Sequence, residues 1–514
     1  MPVQLLYGLA AALGALLGMA NPYLHFPPAI LALPAGLLAL AMDAPTGRLA
    51  FKRCWLAASL GCLGCLAWVY WPVHHFGGVH WLLALPVPVL LSMAMAVYFG
   101  LFGLLAHHAM RRLGPLVALP LLAAAWGGME LAMGTLLSGF PWVVLSGAFG
   151  PWPMMLQAAA YVGSLGLSVL LALVGLGIAA SRRTMLAPVL SAFVLSALVA
   201  VGWGRMQAFQ DSGPQHTVAI AQGNIDQSVK WDPTYQQGTV DTYVALSRQA
   251  LERKPELVVW PETAMPFYFQ DETPLREPVL RFVEDTGVPV LVGAPGYRMQ
   301  ASLNPGGGYE LFNRAFLVVR DQSARVGIAG LYDKEHLVPF GEYMPLPSWL
   351  PMDKLVNGVG DFVPGRDQKP IQSGEMDLGV LVCYEAIFPE QAQERVRQGA
   401  NLLVNISNDA WFGATSAPLQ HLYLTALRAV EQGRWIVRST NTGISAYIDP
   451  LGRIQVAGPQ FEALSAAAVV RSRDETTLYH ALHTPLRIAL AALTALLVGL
   501  IILRGKHARP GASR

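Results

Sequence analysis

Eight apolar runs of about bilayer length are the feature that most restricts this chain's fold. They fall at roughly 3–20, 25–42, 54–72, 81–106, 115–136, 157–180, 186–203 and 488–503. A crossing helix needs about 20 such residues. In hydrocarbon every backbone N–H and C=O must be bonded within the segment, so such runs read as helices. The last run is short and leans on Leu486 and a snorkelling Arg487. Composition agrees, since 54% of the residues are hydrophobic and 13% charged, against about 25% charged in soluble domains. The expected architecture is an integral membrane α-helical bundle of eight spans. The leading Met-Pro-Val-Gln carries no positive charge, so the first run reads as a span rather than a cleaved signal.

Basic residues set the orientation. Arg48, Lys52 and Arg53 follow the second run, Arg111 and Arg112 the fourth, Arg182 and Arg183 the sixth, and Arg504, Lys506, Arg509 and Arg514 the eighth. The loops after the first, third and fifth runs have none. The positive-inside rule then places both termini in the cytoplasm and the stretch from about Arg205 to His483 on the outer face. The net charge is +2 with no basic cluster, which excludes a nucleic-acid footprint.

From about His216 the texture changes to short apolar runs at 216–222, 256–260, 288–295, 311–319, 378–384, 400–407, 435–439 and 444–449. Helical stretches at 240–251, 274–284 and 416–433 lie between several of them, with hairpin turns at 306–308 and 449–452. Alternating strands and helices predict an α/β or α+β sandwich. The domains are therefore a bundle over 1–204, an extracytoplasmic domain over 205–483 and a C-terminal span with tail over 484–514.

One cysteine stands apart. Cys54, Cys62 and Cys65 share an apolar run, where they read as helix packing, while Cys383 ends the strand-like Leu378-Gly379-Val380-Leu381-Val382. A side chain at a strand end is held rigidly and can still be reached, which suits a nucleophile; a buried structural thiol is the plain alternative. A thiol near pKa 8.5 needs a base or a cation beside it. Glu262 follows Val258-Val259-Trp260-Pro261, and Lys334 precedes Val338-Pro339-Phe340-Gly341-Glu342.

Strand-Pro-Glu262, then Lys334-Glu335-His336-Leu337-Val338-Pro339-Phe340-Gly341-Glu342, then Cys383-Tyr384-Glu385, in this order, resembles the nitrilase (carbon–nitrogen hydrolase) superfamily and its Glu-Lys-Cys triad. Gln222-Gly223-Asn224 through Lys230-Trp231 and Asn405-Ile406-Ser407-Asn408-Asp409-Ala410-Trp411-Phe412-Gly413 extend the likeness. With seven N-terminal runs and one C-terminal run, the whole chain is similar to the membrane-embedded branch whose members N-acylate bacterial lipoproteins. Asn441-Thr442-Gly443 and Glu335 depart from that pattern without touching the triad.

The resemblance implies a nitrilase-like αββα sandwich, Cys383 as nucleophile, Glu262 as general base and Lys334 as oxyanion stabiliser. It further implies Glu342 and Glu385 as supports for Lys334 and Glu262, Tyr384 as a pocket wall and Trp231 as a residue shaping the substrate site. The implied reaction takes an acyl chain from a phospholipid through a thioester to the α-amine of a diacylglyceryl-cysteine. It needs no cofactor and no metal, and a monomer in the bacterial inner membrane is expected to suffice, its catalytic domain on the periplasmic side. A tethered hydrolase using water carries the same triad, and a ligand-binding or transport protein would need more polar residues in its spans than Glu130.

Glu130 itself is either functional or a packing partner. Ser138–Trp142, Trp68–Tyr70, His74 and His75 read as interfacial anchors. Met265–Phe269 and Met344–Pro351 read as apolar arms toward the bilayer, or as packing within their own domain. His336 and His421 have no partner at ligand spacing and read as structural.

Overall fold

In the computed structural model, which describes residues 3–299, 308–345, 361–367 and 369–507, six helices are long and apolar enough to cross a membrane. They are Gly47–His75, Trp81–Arg112, Pro115–Ser138, Ala159–Ala180, Leu186–Ala208 and Leu478–Gly505. The first two expected spans form shorter apolar helices, Val3–Gly18 and Pro27–Met42. Glycine brings these two together: a Cβ on Gly14 would lie 2.7 Å from the Ala29 carbonyl oxygen, and one on Gly36 2.6 Å from that of Tyr7.

The domain between the helices Leu186–Ala208 and Leu478–Gly505 contains twelve described strands: β1 Gln215–Gln222, β2 Leu257–Val259, β3 Val290–Met299, β4 Tyr309–Arg320, β5 Val326–Asp333, β6 Ile371–Ser373, β7 Met376–Val382, β8 Leu402–Ser407, β9 Ile436–Thr440, β10 Ala446–Ile448, β11 Ile454–Ala457 and β12 Leu464–Arg471. Two six-stranded sheets run β12-β1-β2-β3-β4-β5 and β11-β10-β9-β8-β7-β6. Each has a parallel core of three strands with antiparallel neighbours on both sides, so the halves repeat one topology. The turn expected at 449–452 joins β10 to β11, the Gly452 N–H donating to the Asp449 carbonyl. The turn expected at 306–308 lies, but for Gly308, outside the described residues.

Alternation along the strands builds four layers. Val218, Ile220, Leu257 and Val259 meet Leu378, Val380, Val404 and Ile406 between the sheets. The next residues, Ala219 and Val258, pack outward on helices Pro233–Ala250 and Glu277–Thr286 through Val240, Tyr243 and Phe282. Leu381, Leu403 and Ile436 do the same with helices Pro389–Arg397 and Ala417–Gln432. Strands buried on both faces read as continuous apolar runs, which is why the core strands were visible in the sequence. The result is the expected αββα sandwich.

Helix Ala417–Gln432 is buried on all sides because its far face joins the membrane core through Leu424, Leu427 and Val430. Gln420 crosses the seam. Its Nε2 donates to the Ala20 and Cys65 carbonyls (2.9 and 3.3 Å) and its Oε1 accepts from Trp142 Nε1 at 2.6 Å.

Candidate active site

Strand β7 delivers Cys383 to the first position of a 3₁₀ turn, Cys383–Ile387, with φ +53°. Non-glycine residues rarely adopt that conformation, and strain of this kind concentrates at functional sites. Asn224, two residues past β1, shares it with φ +52°. Burial pushes the Cys383 thiol up from its usual range, Glu262 adds to the rise, and Lys334 opposes it. The resting sulfur is therefore a thiol that must surrender its proton during attack.

Glu262 and Lys334 reach the same edge from the carboxyl ends of β2 and β5. Lys334 Nζ lies 3.6 Å from Glu262 Oε1 and 2.9 Å from Glu342 Oε2. Burial works against the ammonium, but Glu342, Glu262 and Cys383 more than offset this, so its pKa is raised and it stays charged. Asn313, on β4, spans both acids, its Nδ2 donating to Glu262 Oε1 at 2.7 Å and to Glu342 Oε1 at 2.8 Å. The Asn408 N–H closes the other side of Glu262 at Oε2, 2.8 Å away. A carboxylate bound at both oxygens is held in one orientation.

The close passage behind Glu262 requires glycine. A Cβ on Gly293 of β3 would stand 2.3 Å from the Pro261 carbonyl oxygen and 2.8 Å from Glu262 Cα.

The supporting acids divide their work differently from the expectation. Glu342 holds Lys334 directly, and its Oε2 also takes the Val338 N–H at 2.8 Å. Both oxygens of Glu385 are taken up elsewhere: its Oε1 accepts from the Glu335 and His336 N–H groups and the Tyr332 hydroxyl, and its Oε2 from Val382 N–H. It thus staples the backbone after Lys334 to the Cys383 turn, which a short rigid turn with open N–H groups favours over reaching a side chain. Tyr384 turns toward the bundle, its hydroxyl donating to the Gly139 carbonyl at 2.9 Å. Trp231 is half-buried on the loop after β1.

Two groups had no role assigned from the sequence. Lys230, fully buried, donates from Nζ to Thr263 Oγ1 at 2.8 Å, and Thr263 itself holds φ +46° beside Glu262. Burial pulls this lysine down to about 7, with Glu262 opposing. The other is Asn313, signalled only as a polar residue inside the apolar run at 311–319.

Met265 and Phe269 are fully buried in the outer-face core, and Gln236 Nε2 bonds the Pro266 carbonyl. Met265–Phe269 therefore packs on its own domain and is no arm to the bilayer, because two of its apolar side chains find a complete core there. Leu346–Pro351 lies outside the described residues. Trp68 and Trp142 are buried in the seam, their rings 4.8 Å apart, with Phe412 from the sheet domain meeting both edge-to-face. They join the two domains rather than anchoring at headgroup level. His421 lies beneath the Cys383 carbonyl and against Asp409, which Arg438 also pairs at 2.6 Å. Among the described residues no three His, Cys, Asp or Glu side chains are grouped to hold a metal ion.

Comparison with known proteins follows the same division of the chain. A family model described as carbon-nitrogen hydrolase matches residues 217–477. One described as apolipoprotein N-acyltransferase N-terminal domain matches 13–177. The apolipoprotein N-acyltransferase of Geobacter metallireducens is 36% identical over 488 residues, covering 92% of this chain and 91% of that protein. That of Pseudomonas syringae pv. tomato is 33% identical over 503 residues, covering 93% and 94%. Among solved structures, an amidase from Nesterenkonia sp. aligns with 54% of this chain and 97% of its own at 20% identity, with a TM-score of 0.37.

Proposed function

This chain belongs to the apolipoprotein N-acyltransferase family, and from that premise we propose how its residues move an acyl chain onto a lipoprotein. Glu262 removes the Cys383 proton as sulfur attacks the ester carbonyl of a phospholipid. The carbonyl oxygen takes the negative charge, facing the Lys334 ammonium and the backbone N–H that follows Cys383. Collapse breaks the ester C–O bond, and Glu262 returns its proton to the departing alcohol, leaving a lysophospholipid and a Cys383 thioester. The α-amine of a diacylglyceryl-cysteine then attacks the thioester, gives a proton to Glu262, and expels sulfur, which recovers that proton. General base and oxyanion assistance of this kind each contribute about 10²–10⁴-fold and 10²–10³-fold.

The observation that carries this reading is the buried cluster itself: one ammonium 3.6 Å from one carboxylate, both interacting electrostatically with the only cysteine outside the bundle. Glu342 and Glu385 support it as described, Tyr384 lines it from the bundle side, and Trp231 shapes the approach. The protein is a multi-pass membrane protein; eight crossings, cytoplasmic termini and a periplasmic catalytic domain in the inner membrane are what the basic-loop pattern supports. Phospholipid and diacylated lipoprotein are its partners, and one copy suffices because one chain supplies all three groups.

The water-using alternative is separated by incubating the full chain with phospholipid, with and without a lipopeptide bearing a free α-amine. Transfer yields N-acylated peptide and lysophospholipid in equal amounts; lysophospholipid and free fatty acid alone would overturn the reading.

A further inference from the structure

A second cleft opens where the outer ends of helices Pro115–Ser138 and Leu478–Gly505 meet the turn after Cys383. Its inner chamber is a narrow pit of about 30 Å³ that reaches Glu130, Phe388 and Arg428; its outer chamber, about 470 Å³, runs past His483, Thr484 and Ile488. Leu131, Thr135, Glu390 and Arg487 belong to both. The outer chamber has the volume of a small-ligand pocket, enough for a lipid headgroup, while the inner pit admits a group about the size of a water, such as an ammonium.

The walls carry both signs of charge at the depth where helices of the bundle end. Arg487 Nη1 pairs with Glu390 Oε2 at 2.9 Å, yet the two side chains keep 23% and 32% of their surface. Deeper in, Glu130 is 2% exposed. Its Oε1 accepts from Trp126 Nε1 and the Leu145 N–H. The Ser168 hydroxyl stands close by but out of bonding geometry, and Oε2 accepts nothing among the described residues. A buried carboxylate oxygen without a donor is costly, and a donor entering the cleft would relieve it. Apolar Leu131, Ile488 and Ala491 flank the mouth, with Ile488 64% exposed.

We propose that this cleft binds a zwitterionic phospholipid whose headgroup bears a free ammonium, at a site separate from the one where the acyl donor meets Cys383. The phosphate lies against Arg487, the ammonium between Glu390 and Glu130, and the chains along Leu131 and Ile488. Cys383 does not line either chamber. Phe388 is the partition: it faces the cleft on one side and on the other packs against His336 (3.9 Å, tilted) and edge-on against Tyr384 (4.9 Å). The lipid held here is thus not positioned for attack.

Photolabelling of the full chain tests this with a diazirine-bearing ether-linked phosphatidylethanolamine, which has no ester for Cys383 to cleave. The outcome is therefore independent of the acyl-transfer reading. Label is expected on peptides containing Leu131–Thr135 and Thr484–Ile488, in the parent and in C383A alike. Unlabelled ether phosphatidylethanolamine competes and phosphatidylglycerol does not. Glu130→Gln and Thr484→Trp each reduce labelling about tenfold, the loss of one charge-assisted hydrogen bond or of the volume it occupies. Label confined to peptides near Cys383, equal competition by phosphatidylglycerol, or undiminished labelling of Glu130→Gln would each overturn the proposal.

Discussion

Cys383, Glu262 and Lys334 each stand one to three residues beyond a strand, and that placement is why they could be read from the sequence. An apolar run that stops at a reactive side chain leaves few other interpretations. Glu262→Gln and Lys334→Met are expected to slow acyl-adduct formation by about 10²–10⁴-fold, measured as single-turnover release of lysophospholipid. Lys230 was not legible, since a lysine beside Trp231 in a polar loop looks like a solvated charge. Only the fold shows that its stem is buried and its ammonium aimed at Thr263.

A pH prediction follows from the same lysine. Burial lowers its folded pKa to about 7 from 10.5. Between those values the unfolded chain holds a proton that the folded chain has shed, so stability rises with pH across that window. Below pH 7 both states are protonated and the cost of the buried charge stands in full. Lys230→Met lacks that proton. Its unfolding temperature relative to the parent is expected to be highest below pH 7 and to lose that advantage toward pH 10; parallel curves across this range would refute the assignment.

Strands and helices were legible in proportion to how two-sided their burial is. β7 and β8 carry continuous Leu-Val-Ile runs because sheet partners and helices cover both faces. The edge strands were missed: β5 is mostly half-exposed, β6 is three residues long, β12 is alanine-rich and half-exposed, and β11 has four residues, three of them exposed. The turn that carries Glu262 depends on β3 passing close behind it. Gly293→Ala puts a Cβ 2.3 Å from the Pro261 carbonyl oxygen, and the β2–Glu262 turn must move. A shift of about 1 Å at a catalytic group costs on the order of 10²-fold. The expected variant folds, by retained helical and strand circular dichroism, but transfers acyl groups about a hundredfold more slowly. Activity within twofold of the parent would show that Glu262 tolerates displacement.

At the level of the full chain, the sequence separated bundle from sheet domain but gave no hint of how they lock together. The seam is built from groups distant in sequence, such as Gln420 with Ala20 and Cys65, Trp142 with Phe412, and Ser164 N–H with Glu431 at 2.6 Å. No local pattern encodes pairings of that kind. Gln420→Leu would strand the Trp142 indole N–H and the Ala20 and Cys65 carbonyls, each unmet buried group costing about 1–3 kcal/mol. Its unfolding temperature, followed by tryptophan fluorescence, is expected to fall by several degrees, with the Cys383 thiol becoming reactive to maleimide at lower temperature than in the parent. A seam that merely abuts would leave both unchanged.

The central claim is that Cys383 carries the acyl chain between two lipid-anchored molecules. Mass spectrometry of the Cys383 peptide, after incubation of the full chain with phospholipid, reads this directly. The expected result is an acyl mass on Cys383, formed far more slowly in Glu262→Gln, that persists in water and disappears when a lipopeptide with a free α-amine is added, but not when that amine is acetylated. Formation of N-acylated lipopeptide with Cys383 unmodified throughout, or with Cys383→Ala still turning over, would contradict the account.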